Sequence, residues 1–233
     1  ADPKDPDTAQ AGLDRTALTR RAGMAALQAN QPESARRLLA LYSAHRPEDV
    51  EAAVELAHLH RKSGAVEALV DLLGELWPRL EGAGRRTARR EFAEGALALG
   101  RANAATEALR AILADEPQDV WAARHLLTLL PADPASASER LGLVSRLIDG
   151  ATGEEKADLL ARRSELYQAQ GDLTSARADL LDAAQGSGSP KQLLRALAEL
   201  ARQANDVGAE LAAWRLALER LPDDVQVVQD AAE

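Results

Sequence analysis

The sequence predicts an all-α solenoid of about six stacked helix-turn-helix repeats followed by a terminal helix. Three observations carry this. Turn residues return roughly every 34 to 36 residues between amphipathic stretches, at Asn30, Gly64, Gly100 and, two periods on, Gly171 and then Asn205. Pro47, Pro117 and Pro222 follow Asn30, Gly100 and Asn205 by about seventeen residues, so a unit reads helix, tight turn, helix, stop. Hydrophobic residues make up 46% of the chain and aromatic residues 3%, so the core must be Ala and Leu, which suits closely packed helices and offers little to a sheet.

Residues 1–12, acidic and proline-containing, read as a disordered or extended lead-in. The solenoid then occupies 13–222, in approximate repeats 13–47, 48–78, 85–117, 118–150, 154–186 and 190–222. In the first, Leu18, Ala22, Ala25, Ala26 and Ala29 have the three-and-four spacing of a helix face. Asn30-Gln31-Pro32 makes the turn. Proline is tolerated there because the amide it lacks has no partner in a first helical turn, and the second helix runs from Glu33 to Ala44 on a stripe of Ala35, Leu38, Leu39 and Tyr42.

In the second repeat Asp49 or Glu48 caps a helix through Val50, Ala53, Leu56, Ala57 and His60, which Ser63-Gly64 ends. Its partner carries Val66, Leu69, Val70, Leu72, Leu73 and Leu76 and stops near Trp77-Pro78. Residues 78–84 depart from the period and read as a longer connection. The third repeat turns at Gly100 and buries Ala104, Ala105, Ala108, Leu109, Ile112 and Leu113. The fourth starts at Asp119 and has an expanded turn over 131–137, where two prolines forbid a continuous helix; it is either a binding or hinge loop or a tolerated insertion. Between repeats five and six, GSGSP at 186–190 reads as a flexible connection. Residues 223–233 form either a capping helix or the first half of a further repeat.

Leu160, Ser164, Tyr167, Gly171-Asp172, Ala176, Leu180 and Ala183 in repeat five, Gly23, Ala26, Ala35, Leu39, Tyr42 and Pro47 in repeat one, and Leu197, Ala198, Ala201, Trp214, Ala217 and Pro222 in repeat six carry one pattern. It resembles the tetratricopeptide repeat (TPR) family over nearly the whole chain. Arg163, in place of the usual leucine, and Glu210, in place of a small residue, depart from it. The resemblance implies a right-handed superhelix whose concave groove is lined by the first helix of each repeat. On that register Arg20 and Met24, then His58, Arg61 and Lys62, then Arg90 and Glu94 line the groove, followed by Trp121, Arg124, His125 and Thr128, by Glu165 and Gln168, and by Arg195, Glu199 and Arg202. Basic residues dominate this set, and guanidinium pairs carboxylates in bidentate geometry, so an acidic protein segment is the expected partner. The bland reading is that these arginines serve neighbouring glutamates. Chaperone-tail TPR domains use a Lys and Asn clamp, and Arg20 and Met24 stand at those places, which argues against that class of ligand.

Other functions fit less well. A formal net charge of -9 has the wrong sign for a polyanion binder. The absence of cysteine excludes disulfides and thiolate chemistry. No stretch approaches a membrane span and no signal peptide is visible, so no direct membrane insertion is expected. His58 and His60 point about 200° apart on a helix and cannot share a metal. No metal, cofactor or catalytic set is expected, and the chain reads as no enzyme. Glu154-Glu155 and Asp223-Asp224 read as helix-start charges, Gly95 and Gly100 as repeat punctuation, and Trp77 and Trp214 as packing residues. Trp121 is either a groove anchor or a packing residue.

The predicted function is a non-catalytic protein-interaction scaffold. The alternatives are an RNA-binding helical repeat resembling pentatricopeptide proteins, or a self-association module of a larger bacterial envelope or motility complex. Ala, Leu and Arg usage suggests a bacterial source, which leaves cytoplasm and periplasm equally open.

Overall fold

The computed structural model describes the backbone of residues 6–232 and the side chains of residues 15–232. Within that span the chain is helical throughout, in hairpins: α1 (Pro6–Gln28) with α2 (Pro32–His45), α3 (Val50–Ser63) with α4 (Val66–Leu76), α5 (Gly82–Ala98) with α6 (Ala102–Asp115), α7 (Val120–Leu129) with α8 (Ala137–Gly150), α9 (Gly153–Ala169) with α10 (Leu173–Gly186), α11 (Lys191–Gln203) with α12 (Val207–Arg220), and a short α13 (Val225–Asp230). The expected lead-in is shorter than 1–12. Residues 1–5 lie outside the described residues, but α1 already begins at Pro6, because proline suits a first helical position and Ala9, Gln10 and Ala11 are good helix formers.

All five punctuation residues do the same thing. Asn30, Gly64, Gly100, Gly171 and Asn205 adopt left-handed φ values of 57°, 69°, 68°, 79° and 55°, which glycine and asparagine tolerate and which reverse the chain between the two helices of a hairpin. The expanded turn of repeat four has no such residue. There α7 ends in extended backbone at Leu130, and the Asp133 carboxylate accepts the Ser136 amide before α8 begins. Helix starts are capped by aspartate: Asp49, Asp119, Asp172, Asp206 and Asp224 each accept backbone amides two or three residues on.

The chain divides into two compact units, Ala1–Asp115 and Glu116–Glu233. In the first, the second helix of each hairpin packs on the first helix of the next, α2 on α3 and α4 on α5. The core follows this order. Ala35, Leu39 and Tyr42 of α2 meet Ala52, Leu56 and Leu59 of α3, and Leu69, Leu73 and Leu76 of α4 meet Ala88 of α5. In the second unit α8 packs on α9, α10 on α11 and α12 on α13, with Ala176 and Leu180 against Leu197 and Leu200, and Ala184, Leu194, Ala217 and Val227 in a further cluster. Val227 is buried, so α13 packs against the last hairpin.

Two expectations are corrected. Residues 186–190 are not a loose tether: Ser187 is buried, and the Glu154 carboxylate accepts both the Ser187 hydroxyl and the Gly188 amide. Glu154 and Glu155 lie in the first turn of α9, as expected of helix-start charges, and Glu154 also clamps this connection. Gly95 is not punctuation. It sits inside α5, where a Cβ would lie 2.3 Å from a methyl of Val70, so it is glycine because two helices meet there.

Candidate functional site

The candidate residues fall on the first helices of the hairpins: Arg20 and Met24 on α1, His58, Arg61 and Lys62 on α3, Arg90 and Glu94 on α5, Trp121, Arg124 and His125 on α7, and Arg195 and Arg202 on α11. In the first unit α3 and α5 are brought side by side, and between them opens a concavity of about 530 Å³. The irregular connection between repeats two and three explains its place. α4 gives way at Trp77–Arg79 to a short 3-10 turn, and α5 starts on Gly82, so Ala83 and Gly84 present little bulk to the concavity. The floor is apolar, made of Ala57, Leu73, Leu76, Leu80 and Ala88, and Val54 stands 42% exposed beside it. His58, Arg61, Thr87 and Glu91 form a polar rim.

The candidate arginines of the first unit do not stand bare. Arg61 makes two hydrogen bonds of 2.6 Å to the Glu91 carboxylate, which raises its pKa. Arg20 donates to Asp49 at 2.9 Å and to Glu51 at 2.6 Å, and the charge of Asp49 raises its pKa in turn. Arg90 pairs with Glu94 at 3.2 Å on its own helix. Asp49 is the most heavily used of these carboxylates, because it also caps α3 through the Ala52 amide and accepts the Tyr42 hydroxyl at 2.8 Å. Burial pushes its pKa up, and the Ala52 amide, the Tyr42 hydroxyl and Arg20 outweigh that and hold it below the ordinary aspartate value. Met24 is half-buried against the Ala26–Leu39–Leu56 cluster, and Lys62 is exposed in the last turn of α3.

The second unit repeats the pattern. Arg124 pairs with Glu155 on α9, and Arg195 lies 2.5 Å from Asp230 at the end of α13. Arg202 pairs with Glu210 at 2.9 Å and with Glu199 at 3.4 Å. Arg195, Glu199, Arg202, Trp214 and Asp230 enclose a smaller recess of about 260 Å³. Trp121 and His125 stack with centroids 4.5 Å apart, and His125 Nδ1 lies 2.8 Å from the Trp121 carbonyl, so this pair is held from within its own helix. Trp77 and Trp214 are half-buried against the cores, as expected of packing residues.

The sequence reading that these arginines serve neighbouring glutamates fits the ion pairs at Arg20, Arg61 and Arg124, but it did not name the individual carboxylates. The signal was available: Arg20, Arg61 and Arg124 each pair with an acidic residue on the next odd-numbered helix, about one repeat ahead less one helical turn, and Arg195 pairs with Asp230 a full repeat ahead on α13. Reading the acidic residues in the same register as the basic ones would have paired them. The apolar floor was missed because Leu73, Leu76 and Leu80 belong to a second helix and to the irregular connection behind it.

Left-handed turns at one period and hairpins stacked second helix on first decide the architecture. The chain is an all-α protein of stacked helical hairpins. Solved structures similar to it are TPR proteins. A thermophilic TPR protein from Thermus thermophilus is 18% identical, covering 93% of this chain and 97% of its own, with a TM-score of 0.36. YrrB, a TPR protein with an unusual peptide-binding site, is 11% identical, covering 84% and 98%, with a TM-score of 0.48. MamA from Desulfovibrio magneticus is 17% identical, covering 74% and 94%, with a TM-score of 0.37. Likenesses of this size leave the assignment resting on the chain's own period and hairpins. No family model and no curated protein matches the sequence.

Among the described residues no group of three or more His, Cys, Asp or Glu side chains is placed to hold a metal ion, and no helix is long and apolar enough to cross a membrane.

Proposed function

We propose that this chain is a non-catalytic scaffold that binds a segment of another protein along its odd-numbered helices, anchored by an apolar side chain in the α3–α5 concavity. The observation that carries this reading is the concavity itself. A recess of about 530 Å³ is of ligand-binding size, apolar at the floor, with a few polar groups converging at its rim. The intramolecular ion pairs refine the expected partner. Arg61 already holds Glu91 and Arg20 already holds Asp49 and Glu51, so an acidic segment enters by exchanging its carboxylates for these, which supplies selectivity more than affinity. Burial of the apolar anchor supplies the affinity.

The test is selection from a random-peptide display library, followed by titration of the enriched peptide. The expected peptide carries a bulky apolar residue flanked by Asp or Glu. Val54→Glu, which places a carboxylate at the mouth of the recess, weakens its binding about tenfold or more. Arg61→Ala weakens it less and reduces its salt dependence. Enrichment of peptides without an apolar anchor, or binding indifferent to Val54→Glu, sinks the reading.

A further inference from the structure

We propose, resting on the reading above, that Glu55 decides which segment the α3–α5 concavity accepts, by taking a lysine or arginine that stands next to the apolar anchor. The segment then carries both signs of charge, a carboxylate for Arg61 and a cation for Glu55, with the anchor between them.

The lining of the concavity holds more negative charge than positive. Its ionisable side chains are Glu55, His58, Arg61 and Glu91, so with histidine counted neutral two carboxylates stand against one guanidinium. Arg61 and Glu91 satisfy each other through their two hydrogen bonds of 2.6 Å. Glu55, half-buried on the same rim, has no hydrogen bond and no ion pair among the described residues.

The charges nearby leave it so. Glu51, one turn before Glu55 on α3, is held by Arg20, which also serves Asp49. Lys62 lies seven residues beyond Glu55, about 10 Å along the helix axis, and does not line the concavity. On the connection before α5, Arg79 and Arg85 turn their guanidinium groups to the Pro47, Leu80 and Pro78 carbonyls, with Glu81 between them in the chain. Arg90 pairs with Glu94. None of Arg79, Arg85, Arg86 and Arg90 lines the concavity.

The two charged contacts open to a partner differ in what they break. A carboxylate arriving at Arg61 must displace Glu91 from a bidentate pair, which offsets most of its gain. A cation arriving at Glu55 displaces no protein group, and it is seated beside the apolar floor, where charge is screened less than on an open surface. The cation is therefore the stronger of the two signals. Glu55 and Arg61 are six residues apart on α3, about 9 Å along its axis, so they meet the segment at separate points. A segment entering in the opposite direction sets its cation against Arg61 and its carboxylate against Glu55. Both contacts then turn repulsive, and the direction is fixed.

The test is a pair of selections from one random-peptide display library, on the full chain and on Glu55→Lys. Glu55 has no bond to lose, so the variant keeps its fold, which circular dichroism checks; Glu55→Gln, which removes the charge and keeps the shape, is carried beside it. Peptides enriched on the parent are expected to carry Lys or Arg at one fixed offset from a bulky apolar residue, and those enriched on Glu55→Lys to carry Asp or Glu there. A synthetic peptide of the first set is expected to bind Glu55→Gln about fivefold more weakly. Its binding to Glu55→Lys falls about tenfold or more, and replacing its basic residue by Glu restores that binding.

Peptides that need the concavity, shown by loss of binding to Val54→Glu, but have no basic residue at a fixed offset overturn the role of Glu55 and leave the concavity standing. The same basic residue selected by parent and Glu55→Lys alike does so too. Peptides indifferent to Val54→Glu, or no enriched peptide at all, overturn both readings.

Discussion

Gly95 is a place where a single methyl group decides how two repeats meet. Helix propensity alone favours alanine over glycine by about 1 kcal/mol at such an interior position. The gap to Val70 is too small, because a Cβ there lies 2.3 Å from the Val70 methyl, and Val70 is itself buried between α4 and α5. Overpacking wins. Gly95→Ala is expected to destabilise the chain by about 1–3 kcal/mol, read as a lower urea midpoint, and Val70→Ala in the same chain is expected to relieve part of that loss. A Gly95→Ala variant as stable as the parent refutes the close-packing account. Sequence shows the glycine and not its neighbour. Gly100, five residues later, is legible because turn residues recur at the period, whereas Gly95 owes its identity to a side chain on another helix.

Between helices, Arg163 shows how an element absorbs a departure from the repeat pattern. Where the repeat usually has leucine, its guanidinium makes two hydrogen bonds to Asp179 on α10, at 2.7 and 2.6 Å, reaches Ser145 on α8 at 3.2 Å, and lies over the Tyr167 ring. The hydrogen bonds to Asp179 raise the pKa of Arg163 and keep it charged. Asp179 is buried, so removing the arginine strands a carboxylate in the hairpin interior. Arg163→Leu restores the usual residue and is nevertheless expected to cost about 3–5 kcal/mol, while Arg163→Leu with Asp179→Leu recovers most of it. Thermal unfolding of the two variants measures the contrast, and a single variant no less stable than the double one removes the argument. The departure at Arg163 was visible in the sequence. Its partner was not, since Asp179 lies on the second helix of the hairpin and only the stacking of α9 on α10 brings the two together. The clamp of Glu154 on residues 187–188 was hidden for the same reason, because a Gly-Ser run reads as flexible until a distant carboxylate is placed over it.

Across the whole molecule, hairpin order was legible because it depends on local turns and periodicity, whereas groove character depends on which charge faces which. The aspartate caps join the two levels. Asp49, Asp172, Asp206 and Asp224 all have pKa values below the ordinary aspartate value, and each serves backbone amides and a hydrogen-bonding or ionic partner at once. A carboxylate whose pKa is depressed on folding contributes stability that is fully present above its unfolded pKa, about 3.9, and is lost as pH falls through the lower folded value. Folding stability is therefore expected to be flat on account of these groups from neutral pH down to about pH 5 and to fall below about pH 4.

Asp49 isolates one such group. Asp49→Asn keeps an amide oxygen able to cap α3 but loses the charge that holds Arg20. The variant is expected to be less stable than the parent at pH 7, and the difference is expected to shrink as pH falls through the folded pKa of Asp49, because protonation then removes the same charge from the parent. Urea unfolding at pH 7, 5, 4 and 3 follows that difference. A gap that stays constant over the series means the carboxylate acts only through its shape, and the ion pair between the first two repeats then contributes nothing to holding them together.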